Sequence, residues 1–163
     1  MQVPVEVDYH QFVLGEGGSH EATQDMAEAT CLIFEPRVSG AAILTGCASG
    51  SVLVEVEALE SAPEQVDDRW QDVAEVSLRV GDAPLKAKGW GSTGPSTDRL
   101  DAAGPGTYRV RVHARGRDTD PDGVAFEPVE EFLLQAWPAA HEPPRTLIAT
   151  SQAARGEIAR KIG

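Results

Sequence analysis

The sequence predicts an all-β protein, an antiparallel β-sandwich with Greek-key-like connections and a short C-terminal helix. Three observations predict this class. Many short segments alternate apolar and polar residues with period two, which is typical of half-buried strands. Glycine and proline clusters separate these segments, as turns do in sandwiches and barrels. The chain has 163 residues, of which 41% are hydrophobic, enough to bury a core within one domain.

The first predicted strands lie at 3–7 and 9–14, where residues alternate or are β-branched and aromatic. A third strand is predicted at 30–35, a short apolar run that ends at Pro36. The fourth, at 41–45, follows a Ser-Gly turn.

Alternation is clearest in the middle of the chain. In segment 52–59, valine and alanine alternate with leucine and glutamate, and in 73–80 apolar residues alternate with polar and charged ones. Further strands are predicted at 85–88 and 131–137, which are flanked by turn-forming residues.

The sharpest pattern is in the strand predicted at 108–115. Its two faces are Tyr108, Val110, Val112 and Ala114 on the buried side, and Arg109, Arg111, His113 and Arg115 on the other. Because a tyrosine at this place in Greek-key sandwiches bonds an upstream backbone group, we expect a structural role for Tyr108. We expect the arginines to lie across from Glu55 and Glu57, which supply their counter-charges.

The C-terminal tail has the stronger of two helical patterns, the other being the short acidic segment 22–29. Ser151 suits the N-cap, and Arg160 and Lys161 suit the last turn, where cations interact well with the helix dipole. We therefore divide the chain into a β-sandwich domain, 1–140, and a helical tail, 141–163. The tail is predicted to be loosely attached or dependent on a partner, with a frayed terminus as the alternative.

The net charge of −12 bears on the class of partner. Such a chain repels phosphate, which argues against binding to nucleic acid. The acidity favours a basic protein partner, or it serves solubility alone. Because acidic residues accumulate after segment 52–59, we predict partner-binding by Glu64, Asp67, Asp68 and Asp72, with a solvated face as the alternative.

Cysteine usage and hydropathy bear on the compartment. Cys31 and Cys47 lie beside apolar runs, where a free thiol behaves as a small buried hydrophobe, although one disulfide is an alternative. The N-terminus lacks the pattern of a signal peptide, and no apolar stretch is long enough to span a bilayer. We expect a cytoplasmic protein with no membrane association.

A short acidic motif raises the question of calcium. Asp118, Asp120 and Asp122, followed by Gly123, match the first half of a calcium-binding loop. The twelfth position holds Val129 where a bidentate glutamate is expected. A polar hairpin loop is therefore the preferred interpretation, and a calcium-binding or small-molecule-binding sandwich is the alternative. We predict no cofactor.

Catalytic motifs are missing from the sequence. The four histidines, at positions 10, 20, 113 and 141, lack metal-ligand spacing. No G-x-S-x-G motif occurs, and segment 46–51 lacks the lysine and helix of a P-loop. We predict a protein that is not an enzyme. The alternative is an enzyme that uses a histidine in a cleft near His10 or His113.

Segment 8–13, DYHQFV, resembles the opening strand of the ComJ competence-protein family. Segment 31–36, CLIFEP, is similar to the apolar strand that follows in that family, and 100–112 to its late Leu-Pro-Gly-x-Tyr hairpin. Segment 129–138, VEEFLLQAWP, also resembles small actinobacterial proteins. The ComJ resemblance implies an all-β fold and inhibition of a DNA-entry nuclease by protein contact. No inhibitory residue can be matched one by one.

The predicted function is therefore that of an acidic, non-enzymatic protein-binding module. A nuclease inhibitor and an immunity-type protein are two examples of this class. In either case, an acidic face would occlude a basic nuclease or toxin.

Overall fold

The computed structural model describes residues 1–15, 30–34, 40–89 and 94–162, with side chains throughout except at 34 and 160–162. The helix predicted at 22–29 and His20 lie outside these ranges, as do the side chains of Arg160 and Lys161.

Within these ranges the chain forms eleven strands and one helix. They are β1 (Val3–Val7), β2 (Gln11–Gly15), β3 (Ile33–Phe34), β4 (Gly40–Leu44), β5 (Ser49–Ala58), β6 (Asp72–Val80), β7 (Ala87–Lys88), β8 (Gly106–Arg115), β9 (Val124–Ala125), β10 (Glu131–Pro138), β11 (Arg145–Ala149) and α1 (Gln152–Ile162). Strands form at every predicted segment, whereas β9 and β11 were not predicted.

The strands form two packed sheets. The large sheet has seven strands in the order β1-β5-β10-β8-β6-β11, with β9 also beside β5, and the small sheet has the order β3-β4-β2-β7. The predicted all-β sandwich with a short C-terminal helix is confirmed. Strand β5 pairs in parallel with β10 and with β9, so the large sheet is mixed, whereas the other paired strands are antiparallel.

The core lies between the two sheets. The predicted apolar face of β8 is buried there, and the rings of Phe12 and Phe132 meet edge to face with their centroids 5.1 Å apart. Since these rings come from opposite sheets, their contact joins the two layers.

The turn before β8 has the predicted geometry. The Tyr108 hydroxyl donates to the Gly104 carbonyl over 2.7 Å, as expected for a Greek-key corner. Gly104 has φ of +84°, a left-handed conformation that glycine adopts without steric cost. The structural role predicted for Tyr108 is confirmed.

The charged face of β8 differs from the prediction. Its residues Arg109, Arg111 and His113 are buried, and Arg115 is exposed. Glu75 of β6, rather than Glu55 or Glu57, pairs with Arg109 and Arg111. The reason is strand order: β10 lies between β8 and β5, so the predicted glutamates are not on a strand adjacent to the arginines.

The tail also differs from the predicted boundary at residue 140. Residues 145–149 form β11, which pairs with β6 at the edge of the large sheet. Ser151 is the N-cap of α1, as predicted, since its hydroxyl accepts the Ala154 amide over 3.0 Å. Ala154 is buried in the core, and Ile158 packs against it, so the start of the helix is docked on the sandwich.

Candidate functional site

The predicted partner-binding residues divide into two groups. Glu64 and Asp68 are exposed in the segment between β5 and β6. Asp67 is half-buried and pairs with Arg69, whose hydrogen bond lowers the pKa of Asp67 to about 2. These three residues are placed where a partner could reach them.

Asp72 is different, because it is fully buried. Its carboxylate lies 3.0 Å from Arg117 Nη1 and accepts the Ser151 hydroxyl over 2.6 Å. It also accepts the backbone amides of Thr150 and Ser151. The prediction that Asp72 belongs to an exposed docking surface is therefore wrong, since this carboxylate joins β6 to the tail inside the protein.

The outer face of the large sheet has two unlike halves. One half, on β6 and β8, is covered by the segments 59–71 and 139–144. Arg109 donates to the carbonyls of Glu142 and Pro143, and Arg111 donates to that of Gln65. These carbonyls complete the hydrogen bonding of the two buried guanidinium groups. Without such partners, burying these charges would strongly destabilise the folded protein.

His113 lies in the same covered half. Its Nδ1 is 3.0 Å from the Leu133 carbonyl, and the Trp70 ring stacks at a tilt with the centroids 5.6 Å apart. Burial lowers the pKa of His113, because the uncharged imidazole is favoured where water is excluded. His113 is 1% exposed, so a solute has little access to its ring.

The other half of the outer face is open to solvent. Paired residues in adjacent strands point to the same side of a sheet, so the register identifies its members. The pairs are Glu6 with Ser51, Leu53 with Glu131, Glu55 with Leu133, and Glu57 with Gln135. We call these residues, with Val124 and the exposed part of the connection, 126–129, the open face.

Apolar side chains on the open face are unusually exposed. Val124, Phe126 and Val129 have exposures of 51%, 90% and 40%. They lie on β9 and on the connection to β10, and both strands pair with β5. Leu53 and Leu133, on the outer face of β5 and β10, are half-buried. Several exposed apolar residues within one short segment mark interaction surfaces more often than isolated ones do.

Carboxylates also lie on the open face. Glu55 is 3.3 Å from the N-terminal amine, and Glu131 pairs with Arg115. Glu57 accepts a hydrogen bond from the neutral amide of Gln135 over 2.8 Å, so its charge is not offset by that contact. The exposed Glu6 adds a further carboxylate, and the open face is acidic.

A cavity of about 650 Å³ lies at one end of the sandwich, and we call it the end cavity. Its lining includes Tyr9, His10, Asp118, Asp122 and Glu157. His10 Nε2 lies 3.3 Å from Asp122 Oδ1. The cleft near His10 that the enzyme alternative requires is therefore present.

Tyr9 and His10, which line the end cavity, form a turn and not the start of the strand predicted at 9–14. Both have positive φ, 53° and 61°, and reciprocal backbone hydrogen bonds between Asp8 and Gln11 close the turn. Such turns normally contain Asn-Gly or Asp-Gly, so the sequence held no signal for it. Asp122, with φ of 60°, is the remaining non-glycine residue with positive φ in the described ranges.

Two of the three aspartates in the calcium-like motif have separate partners. Asp118 accepts the amides of Gln152 and Ala153 at 2.8 and 3.1 Å and so caps α1. Asp122 faces His10. Within the part of the chain that the structure describes, no group of three acidic, histidine or cysteine residues is placed to hold a metal ion.

Cys31 and Cys47 are buried, and within the described residues they form no disulfide. The Glu130 carboxylate accepts the amides of Gly46 and Cys47 at 2.9 and 2.7 Å. Burial, reinforced by this carboxylate, raises the pKa of the Cys47 thiol to about 12. The thiol therefore stays protonated at neutral pH and is a poor nucleophile.

Comparison of the chain with models of known protein families, with curated proteins and with solved structures found no match. The resemblance to the ComJ family stays a prediction. Among the described residues, no helix is long and apolar enough to cross a membrane.

Proposed function

We propose that the protein is a non-enzymatic module that binds a basic protein through its open face. The observation that carries the proposal is the set of exposed apolar residues on β9 and on its connection to β10, led by Phe126, beside strands whose outer face carries carboxylates. Protein interfaces commonly combine apolar anchors at their centre with a polar rim, and aromatic residues dominate their binding energy.

The charge distribution supports a basic partner. Arg109, Arg111 and Arg117 are buried and paired with acids, so these cations contribute little to the surface. The net charge of −12 therefore belongs mainly to the exterior. Such a field speeds the encounter with a cationic protein, and the exposed Glu64 and Asp68 add to it.

A nuclease or a toxin that acts on nucleic acid is the partner class we propose. Proteins that bind phosphate backbones carry basic surfaces, and an acidic face complements such a surface. Occlusion of that surface would block access of the nucleic acid, as the ComJ resemblance implies. The two buried cysteines, which form no disulfide in the described part of the chain, fit a reducing compartment such as the cytoplasm.

The test is inhibition of a DNA-entry nuclease of the class that ComJ proteins inhibit. Phe126→Ser should raise the inhibition constant about tenfold or more, because it removes the most exposed aromatic side chain of the open face. Val66→Ser, which removes an exposed apolar side chain from the segment between β5 and β6, is the matched control and should change it less than about twofold.

Charge reversal separates the open face from the acidic segment predicted from the sequence. Glu57→Lys should weaken inhibition more than Glu64→Lys, and the difference should shrink at high salt as screening increases. Equal effects of Phe126→Ser and Val66→Ser, or no inhibition by the unaltered protein, would contradict the proposal.

A further inference from the structure

We infer that Glu130 is a positioning residue of the open face, because its buried side chain holds the segment 126–129 in the conformation that presents Phe126. The inference rests on the proposed function, in which Phe126 is the main anchor for the partner. It adds a residue that touches no partner itself and acts through the exposed segment beside it.

Both ends of the segment 126–129 are fixed inside the protein. On one side, Ala125 is 4% exposed and pairs with Gly50 of β5. On the other side, Glu130 is 1% exposed, and its carbonyl accepts the Leu53 amide over 3.0 Å. The segment between them is short, so the positions of its two ends strongly restrict its path.

The Glu130 side chain ties one of these ends to a turn that is distant in the sequence. Its two carboxylate oxygens accept the amides of Gly46 and Cys47 over 2.9 and 2.7 Å. These amides belong to the connection between β4 of the small sheet and β5 of the large sheet. Hydrogen bonds to a carboxylate are stronger than those between neutral groups, and each oxygen here serves a different amide. A glutamine side chain has one acceptor oxygen, so it cannot serve both amides in this arrangement.

The backbone of the segment has further restraints. A Cβ added at Gly116 would lie 2.3 Å from the Val129 carbonyl oxygen, so the two backbones are in close contact. Pro128 fixes its own φ and restricts the residue before it. The Phe126 amide donates to the Val124 carbonyl over 3.2 Å. Local contacts therefore restrain the segment between its two buried ends.

A segment held in this way favours binding. Phe126 is 90% exposed, so its ring meets a partner without rearrangement of the segment. A mobile loop loses conformational freedom when it binds, and a loop that is already fixed avoids that cost. Glu127 is also exposed and adds a carboxylate to the same segment. The segment thus combines an aromatic anchor with negative charge, in keeping with a basic partner.

The deciding variant is Glu130→Gln, tested against the nuclease of the class that ComJ proteins inhibit. Its inhibition constant should rise about fivefold, because the loosened segment must be ordered again on binding. In the free protein, the NMR order parameters of the amides at 126, 127 and 129 should fall from about 0.85 to below about 0.6.

Asp101→Asn is the matched control. Asp101 is also a buried carboxylate that accepts a backbone amide, that of Leu85 over 3.1 Å. It precedes β8, whereas Gly116 follows this strand, so it lies at the other end of β8 from the segment. The control should change inhibition less than about twofold and leave the order parameters of 126–129 unaltered. All variants are compared at a temperature at which circular dichroism shows them fully folded.

A double variant separates positioning from a general loss of stability. If Glu130 acts through Phe126, Glu130→Gln adds little once the aromatic ring is gone. The double variant should therefore inhibit about as well as Phe126→Ser alone, since residues that act as one unit are not additive. Independent effects would multiply, and that result would overturn the inference, as would equal effects of Glu130→Gln and Asp101→Asn.

The free-protein measurement distinguishes failure of the inference from failure of the proposed function. If the unaltered protein does not inhibit the nuclease while Glu130→Gln loosens the segment, the proposed function fails and the positioning by Glu130 stands. If Glu130→Gln leaves the order parameters unchanged while Phe126→Ser weakens inhibition, the proposed function stands and the inference fails.

Discussion

The buried arginines show how individual residues are decided by their partners. Arg109 and Arg111 share the carboxylate of Glu75, and Arg117 pairs with Asp72. A guanidinium group buried without such a partner would cost several kcal/mol. Within the part of the chain that the structure describes, Arg117 Nε has no hydrogen-bond partner, although Nη2 donates to the Cys31 carbonyl over 3.3 Å. The Asp72 contact is therefore the principal compensation for this residue.

Asp72→Ala should therefore destabilise the protein by about 3 to 5 kcal/mol, the usual cost of breaking a buried ion pair. The variant also removes the acceptor of the Ser151 hydroxyl. Chemical denaturation measures the free energy of unfolding, and Asp68→Ala, on an exposed residue, should change it by less than about 0.5 kcal/mol. Similar values for the two variants would contradict the buried role of Asp72.

The buried imidazole of His113 predicts a pH dependence. Its pKa lies below the ordinary value of 6.5 because burial disfavours the charged form. As pH falls below that value, the unfolded chain binds a proton at this position before the folded protein does. The free energy of unfolding therefore includes the full contribution of neutral His113 above pH 6.5. That contribution is lost as pH falls from 6.5 toward the lower pKa of His113 in the folded protein.

The measurement compares the unaltered protein with His113→Gln at pH 7 and pH 5, using the free energy of unfolding from denaturant titrations. The unaltered protein should lose more stability on acidification than the variant, whatever their difference at pH 7. Other titrating groups are common to both chains and cancel in this comparison. Parallel pH profiles would show that His113 does not carry the effect.

At the scale of elements, α1 combines a local start signal with a tertiary one. Ser151 caps the Ala154 amide, as the sequence predicted. Asp118, distant in the sequence, accepts the two preceding amides. These contacts satisfy donors that a helix otherwise leaves to solvent at its first turn.

Asp118→Ala should destabilise α1 by about 1 kcal/mol, because it removes this cap. Faster hydrogen exchange at the amides of Gln152 and Ala153 is the expected result. Gly156→Ala is the opposite control and should slow this exchange, because alanine is the better helix former. A Cβ at this position meets no described atom within 4 Å, so the substitution introduces no clash. Unchanged exchange in Asp118→Ala would show that the cap contributes nothing to the helix.

At the scale of the molecule, the two ends of the chain are both built into the large sheet. Strand β1 forms one edge and β11 the other. The segment after residue 140 supplies the carbonyls that bind Arg109 and the Ser151 hydroxyl that binds Asp72. The sandwich and its tail are therefore one structural unit.

A chain ending at residue 140 tests this unity. It loses β11 and the contacts of Arg109 and Asp72, so its melting temperature should fall by about 10 °C or more, as a loss of several kcal/mol implies for a chain of this size. A chain ending at Ile158, which keeps the buried Ala154, should melt within about 4 °C of the full chain. Equal melting of the shorter chain would support an independent domain 1–140.

The sequence identified most strands, because hydrophobic alternation and glycine-rich turns are local properties. Local patterns also predicted the core face of β8, the hydrogen bond of Tyr108 at the corner before it, and the N-cap at Ser151. The parallel pairing of β5 and β10 left no local signal, and the register that forms the open face could not be predicted without it.

Amino-acid order by itself determined the all-β class, the acidic charge and the apolar faces of the main strands. The tertiary structure alone decided which charged residues are buried, since Asp72 and Asp68 belong to the same acidic run and only one is enclosed. It also brought Tyr9, His10 and Asp122 to one cavity. The physical reason is that burial and proximity depend on pairing between distant segments, whereas alternation and charge are properties of neighbouring residues.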